Sequence, residues 1–253
     1  MSRHGRERSE IGIYHVIMRG INKQNIFEDE EDHQKFIEKL AHYKKASGYM
    51  IYGYCLMDNH IHLLLGEGNE MVGKAIQRIS SSYVRWYNQK YDRCGHLFQE
   101  RFKSETVEDE AYFLTVLRYI HQNPLKAGVT KILEEYRWSS YCQYIRSDGI
   151  VDIDTALGIF SEEREKAQKL FCEHCVEETQ DKCLEYQQKA VVKDQQIFEH
   201  LHSMGIASIS ELQQLGKAKR NDVLRRLKEQ DGITIRQLAR ITGISKSVID
   251  RVQ

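Results

Sequence analysis

Two histidines, His60 and His62, stand two residues apart in the run HIHLLL. In a strand, positions i and i+2 project from one face, so two imidazoles can converge on one ion from a rigid support. Ile61 and Leu63 then point the other way, into a core. The chain carries its own control, because His200 and His202 share that spacing but fall in a segment patterned as a helix. There i and i+2 do not face each other, and the pair reads as surface histidines. Spacing alone leaves two readings of His60 and His62: satisfied histidines on a half-exposed strand, or ligands of a metal. Two imidazoles hold an ion poorly, and the most suggestive third ligand is Asn123. It follows Tyr119 by four residues, so both sit on one helical face. Pro124 is expected to loosen the last turn and shift Asn123. An amide oxygen and two imidazoles with open positions suit magnesium or manganese working on phosphate oxygens.

Tyr119 is one of 14 tyrosines, so residue type alone does not mark it. A phenol with a pKa of about 10 is a weak nucleophile at neutral pH. A metal clamped on a scissile phosphate offsets that weakness by drawing charge from the phosphoryl oxygens.

The elements that must position these residues are legible in the pattern. Tyr14 to Met18 and Tyr49 to Met57 read as strands. Asp58-Asn59 is a turn signal, so the strand His60 to Leu65 forms a β-hairpin with the one before it. Between the first two strands an acidic start at Glu28 to Asp32 leads a helix with Phe36, Ile37, Leu40 and Tyr43 on one stripe. Met71 to Tyr91 is a long helix with Val72, Ile76, Ile79, Tyr83 and Trp86-Tyr87 inward. Arg101 to Val107 reads as a fourth strand. Glu108 to about Gln122 reads as a helix with Phe113, Leu114, Leu117 and Ile120 inward, limited by the only proline, Pro124. The order β-α-β-β-α-β-α predicts an α+β fold, a ferredoxin-like βαββαβ sheet domain with an added catalytic helix.

A boundary is expected at the loop Ser147-Asp148-Gly149, giving domains 1–148 and 149–253. The second domain reads as all-α, with helices over Thr155 to Cys175 and Glu177 to His202. It ends in helix-turn-helix spacing over 233–253: Leu238-Ala239 mid-helix, Gly243 at a turn, and Ile244, Val248 and Ile249 on a second apolar face.

With 253 residues, 41% hydrophobic and 29% charged, the chain is long enough for one good core and a smaller domain. No run of about 18 apolar residues suggests a membrane span. The charged start, Met1 to Glu10, lacks the apolar region of a secretory signal, so a cytoplasmic protein is expected. Six cysteines are too scattered for a disulfide framework. Cys172 and Cys175 form a lone C-x-x-C around His174, without the second pair of a zinc knuckle, and leave zinc binding open. Net charge is zero, which alone argues against a nucleic-acid partner, but the distribution is uneven. Residues 151–214 carry 6 Lys+Arg against 13 Asp+Glu, and residues 215–253 carry 10 against 4. The basic tail is either a solvated helix face or a DNA-binding footprint.

Three motifs in order carry a family resemblance. Tyr14-His15-Val16-Ile17-Met18-Arg19-Gly20, Met57-Asp58-Asn59-His60-Ile61-His62-Leu63-Leu64 and Tyr119-Ile120-His121-Gln122-Asn123-Pro124 together resemble the HUH single-tyrosine transposases. More narrowly, they look like the REP-associated tyrosine transposases. The segments Gly95 to Phe102 and Trp138 to Tyr141 fit as well, and the resemblance covers about residues 10–145. It implies that His60 and His62 bind a divalent metal, magnesium or manganese, completed by Asn123. It implies that Tyr119 attacks a single-stranded DNA phosphate, leaving a 5′-phosphotyrosine link and a free 3′-OH that can later rejoin. It also implies hairpin-containing DNA as partner, and a monomer or a homodimer with Tyr119 acting in cis or in trans.

DNA would be held by basic side chains, for which Arg19, Lys23, Arg78, Arg85, Arg101 and Lys103 are candidates. His121 lies between Tyr119 and Asn123 but off their shared face. The tail resembles the helix-turn-helix of replication initiators and sigma factors, with Ser245, Lys246, Ser247 and Arg251 nearest duplex DNA. Besides a metal-dependent tyrosine transposase that nicks and joins DNA, two readings stand. One is a non-catalytic, sequence-specific DNA-binding regulator that keeps the fold. The other is a metal-dependent hydrolase using water, with Tyr119 incidental.

Overall fold

The computed structural model describes residues 7–179, 182–185, 192–230 and 232–252. The first strand, β1 (Ile13–Arg19), leads to α1 (Glu30–Ser47), β2 (Met50–Met57), β3 (His60–Gly66), α2 (Val72–Lys90), β4 (Lys103–Val107) and α3 (Glu110–Lys126). The strands form one antiparallel sheet in the order β2-β3-β1-β4. Each strand lies within two residues of its predicted span. The hairpin of β2 and β3 closes at Met57 opposite His60, with Asp58 and Asn59 as its two-residue loop.

Alternation sorts the two faces. Val16, Met18, Tyr54, Leu56, Ile61, Leu63 and Leu65 are buried against α1 and α2. The long apolar stripe of α2 supplies Val72, Ile76, Ile79, Tyr83 and Tyr87 to this layer, while Trp86 is half-buried. The opposite face carries Cys55, Met57 and Leu64 under α3, whose Phe113, Leu117 and Ile120 pack there with Val116. Leu114 is only partly buried. The added helix therefore covers the second face and leaves one end of it to the histidines.

Three expectations about the helices are corrected. Pro124 lies inside α3, which runs on to Lys126. The proline has no N–H for the Ile120 carbonyl, so the helix gives up that bond and runs only two residues further. Gly128, at a φ of 70°, then closes the helix. Its N–H bonds the Leu125 carbonyl and that of Val129 the Pro124 carbonyl, the Schellman pattern. The predicted helix Thr155 to Cys175 is two helices, α5 (Ile153–Phe160) and α6 (Arg164–Val176), after the short α4 (Tyr141–Arg146). Ser161 breaks it with extended backbone and accepts an N–H from Glu163 on its side chain. Among the described residues, the predicted helix Glu177 to His202 is helical over α7 (Asp194–Ser203) and residues 182–185 are irregular; residues 180–181 and 186–191 of that stretch lie outside the described residues.

The compact units also part later than expected, at 186/187 rather than 148/149. Helices α5 and α6 belong to the first unit because Ala156, Leu157, Ala167, Phe171 and Cys175 share the core of α3. Asp152 ties this segment down by accepting the Ile51 N–H at 2.7 Å and Lys44 Nζ at 2.7 Å.

The second unit, from residue 187, holds α7, α8 (Ile209–Gln214), α9 (Lys217–Glu229), α10 (Ile235–Thr242) and α11 (Lys246–Asp250). Its own core includes Ile197, Leu201, Leu212, Leu224, Leu227, Leu238 and Ile249. Thr234 caps α10 by accepting the Gln237 N–H, and Gly243, at a φ of 68°, ends it. That left-handed turn costs glycine nothing and lets α11 begin two residues later. Among the described residues no helix is long and apolar enough to cross a membrane.

Candidate active site

Three ranks of side chains cross the α3 face of the sheet. Cross-strand pairing sets Arg19 beside His60, Lys103 and Ile17 beside His62, and Glu105 and His15 beside Leu64. His15 and His62 are diagonal neighbours, so their rings stack with centroids 5.3 Å apart. The rings of His60 and His62 are 5.1 Å apart, close enough to share one ion.

The end of β3 is braced from outside. Gly20 N–H donates to the Asn59 carbonyl at 2.9 Å, and Ile26 N–H to that of Asp58 at 2.7 Å. Gly20 is required there, since a β-carbon would come within 2.2 Å of the Gln24 carbonyl oxygen. His60 is fixed in turn by Nδ1 to Asn59 Oδ1 at 2.7 Å. The second imidazole is fixed from within the sheet: His62 Nδ1 lies 3.1 Å from His15 Nε2, and His15 Nδ1 lies 2.7 Å from Glu105 Oε1. In both histidines Nδ1 is committed to the protein, and Nε2 remains as the donor. Burial lowers the pKa of both imidazoles, well below the usual range for His62, where His15 and His60 add to it. For His60 the neighbouring Arg19 adds to burial, against Asn123 and Asp58. Both rings are thus neutral near pH 7, the form that can ligate.

Helix α3 brings the phenol to this pair within one chain. Asp109 caps the helix by accepting the Tyr112 N–H at 2.7 Å. Three turns on, the Tyr119 ring stands 5.6 Å from that of His62 and 5.9 Å from that of His15, edge-on to both. Tyr119 is 5% exposed, and its hydroxyl donates to Glu185 Oε1 at 3.0 Å. Burial, then the Glu185 carboxylate, raise its pKa above the ordinary phenol value, against a smaller opposing effect of Asn123. Asn123 donates Nδ2 to the Tyr119 carbonyl at 2.9 Å, and the same side chain favours the protonated form of His60. It therefore stands between phenol and imidazole. Lys126, about two turns beyond Tyr119 on the same face, places Nζ 4.7 Å from the centre of the Tyr119 ring.

Glu105 is the shared anchor. Burial works to raise its pKa, but bonds from His15 and from the Leu184 N–H at 2.9 Å outweigh that and hold it below the ordinary carboxylate value. Spacing within one strand could not find His15, Glu105 and Glu185, because they meet the site from other segments. The only available signal was His15 in the run YHVIMR.

Other sequence candidates fall elsewhere. His121 turns into the core, bonded to Ser140 Oγ at 2.8 Å, with burial holding its pKa at about 3. Arg19 and Lys103 lie on the histidine face, and Lys23 is exposed in the loop after β1. Arg78 and Arg85 ride on α2, over the opposite face. Arg78 pairs with Glu70 at 3.3 Å, while Arg85 and Arg101 line a groove of about 990 Å³ between α2 and residues 96–104. In the second unit Ser245, Lys246, Ser247 and Arg251 are all exposed around α11. Cys175 is buried and Cys172 half-buried, while His174 bonds the Leu114 carbonyl. Among the described residues no group of three or more His, Cys, Asp or Glu side chains is arranged to hold a metal. The set at the sheet has two histidines and an amide.

Known proteins resemble the chain over its first half. Residues 10–123 match the family described as transposase IS200 like. A Haemophilus influenzae protein assigned as a REP-associated tyrosine transposase is 26% identical over 106 residues, 37% of this chain and 60% of that protein's length. A solved structure of a REP-associated tyrosine transposase bound to a REP hairpin superposes with a TM-score of 0.50 at 17% identity, over 61% of this chain and 90% of that one. A Deinococcus radiodurans structure assigned as a transposase reaches a TM-score of 0.34 at 17% identity, over 47% and 96%. Over residues 10–123 this chain is therefore similar to the IS200-like transposases, and a REP-associated tyrosine transposase is among the proteins it resembles.

Proposed function

We propose that the first unit is a metal-dependent endonuclease and strand transferase for single-stranded DNA that works through a 5′-phosphotyrosine intermediate. The observation that carries this reading is the approach of the Tyr119 ring to within 5.6 Å of the His62 ring, with Asn123 one turn further along the same helix. The sheet order supports a ferredoxin-like βαββαβ domain with α3 as its catalytic helix.

His60, His62 and Asn123 would hold a divalent ion, magnesium or manganese. The donor set fits: two neutral imidazoles with Nε2 left over and one amide oxygen, with no thiolate. Such an ion, when bound, polarises a phosphate and offsets its charge. Tyr119 Oη forms the new bond to phosphorus as the bond to the 3′ oxygen breaks. The phenolic proton is lost, the departing oxygen leaves as a 3′-OH, and the 5′ side stays on the tyrosine. One phosphoester replaces another, so the reverse attack by a 3′-OH rejoins DNA without ATP. Glu185 already accepts the hydrogen bond of the phenol and stands ready to take its proton through that bond as Tyr119 attacks. Asn123 is held one turn beyond the phenol by its bond to the Tyr119 main-chain carbonyl. Arg19 and Lys103 would contact phosphates beside the histidines, with Lys23, Arg78, Arg85 and Arg101 extending a track toward the groove along α2. The hairpin in the related solved structure suggests hairpin-containing DNA as partner.

In the second unit we read α10, Gly243 and α11 as a helix-turn-helix for duplex DNA, with Ser245, Lys246, Ser247 and Arg251 at its exposed edge. A non-catalytic DNA-binding regulator is the second reading, favoured by the burial of Tyr119 and the carboxylate on its hydroxyl.

A labelled single-stranded hairpin oligonucleotide incubated with manganese and run on a denaturing gel separates the readings. The proposal predicts a protein–DNA adduct that Tyr119→Phe removes. Cleavage without an adduct makes the protein a hydrolase, and binding without cleavage makes it a regulator.

A further inference from the structure

We propose that His15 and Glu105 are positioning residues that fix the tautomer in which His62 can act as a ligand, through a carboxylate–imidazole–imidazole relay across three strands. This inference rests on the reading of His60 and His62 as metal ligands.

Strand register sets the relay. Glu105 on β4 is the direct partner of His15 on β1, and His62 on β3 is diagonal to His15. No loop is involved, so the distances of 2.7 and 3.1 Å follow from the pairing of the strands. The hydrogen-bond directions then follow from one donor that cannot reverse. The Leu184 main-chain N–H donates to Glu105 Oε1 at 2.9 Å, which marks that oxygen as an acceptor. His15 Nδ1, bonded to the same oxygen, therefore carries its proton. With the ring proton placed on Nδ1, the relay has His15 Nε2 accept the proton of His62 Nδ1 across 3.1 Å. That leaves His62 Nε2 with a free lone pair. His15 is 0% and His62 2% exposed, so no bulk water replaces the partner if one is removed. Outer partners of this kind set ring orientation and tautomer in metal sites, and their loss weakens metal binding by roughly 10–100-fold.

His60 is backed from a turn rather than from the sheet, through Asn59, whose Nδ2 donates to the Lys23 carbonyl at 3.4 Å. The His60 Nδ1 partner is this neighbouring Asn59 side chain at the β-hairpin tip. The relay thus gives the two ligands different supports, one fixed by the sheet and one by a turn.

The test uses the full chain and two readouts, the tautomer of His62 and manganese affinity. Two-bond ¹H–¹⁵N spectra of the metal-free protein should show His62 protonated on Nδ1. Manganese titration followed by the electron paramagnetic resonance of the free ion should give an affinity roughly 10–100-fold weaker in His15→Phe. His15→Gln, whose amide oxygen can accept from His62 Nδ1, should stay within about threefold of wild type, and Glu105→Gln should fall between them. Finding His62 protonated on Nε2 in the wild-type protein overturns the relay, even if His15→Phe fails to fold. So does an unchanged affinity in a folded His15→Phe. A wild-type chain that binds no manganese overturns instead the metal reading on which the relay rests.

Discussion

The chain contains two His-x-His pairs, and the difference between them shows what makes such a pair chemical. His60 and His62 lie on β3, where a period of two puts both rings on one face at 5.1 Å, supported from behind by Asn59 and His15. His200 and His202 lie on α7, where each residue turns about 100° from the last. His202 is exposed, His200 is half-buried, and α7 directs Ile197 and Leu201 inward instead. Identical spacing gives one convergent pair and one divergent pair. The element decides, and the supporting partners then fix which nitrogen is left to work.

The largest expected effect tests that contrast directly. On the proposed reading, His62→Ala should weaken manganese binding by at least about 100-fold, since it removes one of the two imidazoles. His200→Ala with His202→Ala should leave the affinity within about twofold, read by the same titration. Loss of manganese binding in the helical double variant would break the comparison. Asn123→Ala should weaken binding less, by about tenfold, since an amide oxygen is a poorer donor than an imidazole and water can take its place.

Acid sharpens the comparison next, because burial is what sets the strand pair apart. The pKa values of His33, His60, His62 and His121 are all lowered, with burial the first cause. Each folded pKa lies below the unfolded value of about 6.5, so the unfolded chain takes up protons first. The stability they contribute is complete above about pH 6.5 and is lost as pH falls toward the folded values. For the fully buried His62 and His121 the loss is up to about 1.4 kcal/mol each per pH unit. Thermal unfolding of the metal-free chain should therefore shift down between pH 7 and pH 5. A flat profile would contradict the neutral state assigned to these rings.

A smaller effect concerns the phenol. Glu185→Ala removes the carboxylate that helps raise the Tyr119 pKa, so that pKa should fall, as read from the ring Cζ chemical shift during a pH titration. An unchanged titration would show that the 3.0 Å contact does not govern the phenol. Smallest for catalysis is the second unit. Lys246→Ala with Arg251→Ala should lower duplex DNA affinity by about tenfold at low salt and leave adduct formation on single strands intact.

Much of this was legible in the residues, for physical reasons. β-rich runs bounded by turn signals located all four strands within two residues, and the i, i+4 step placed Tyr119 and Asn123 on one helical face. Helix ends were less legible. Pro124 removes one bond, to the Ile120 carbonyl, and α3 still runs on for two residues, while Ser161 breaks a stretch whose apolar pattern continues through it. The unit boundary was missed because Ser147-Asp148-Gly149 is a loop, whereas a boundary is a place where packing stops. Phe171 and Cys175 continue the α3 core beyond it. His15, Glu105 and Glu185 were not legible as site residues, since their roles arise from strand register and from a segment returning some 66 residues after Tyr119.

The central claim is that Tyr119 is the nucleophile of a histidine-held metal site. It is tested most directly by locating the covalent bond. The protein is incubated with a cleavable single-stranded hairpin and manganese, digested with nuclease and protease, and its peptides are sequenced by mass spectrometry. The account predicts a nucleotide 5′-phosphate on the peptide containing Tyr119, present only with metal and absent from His62→Ala. A nucleotide on any other residue, or an adduct that persists in Tyr119→Phe, would contradict it.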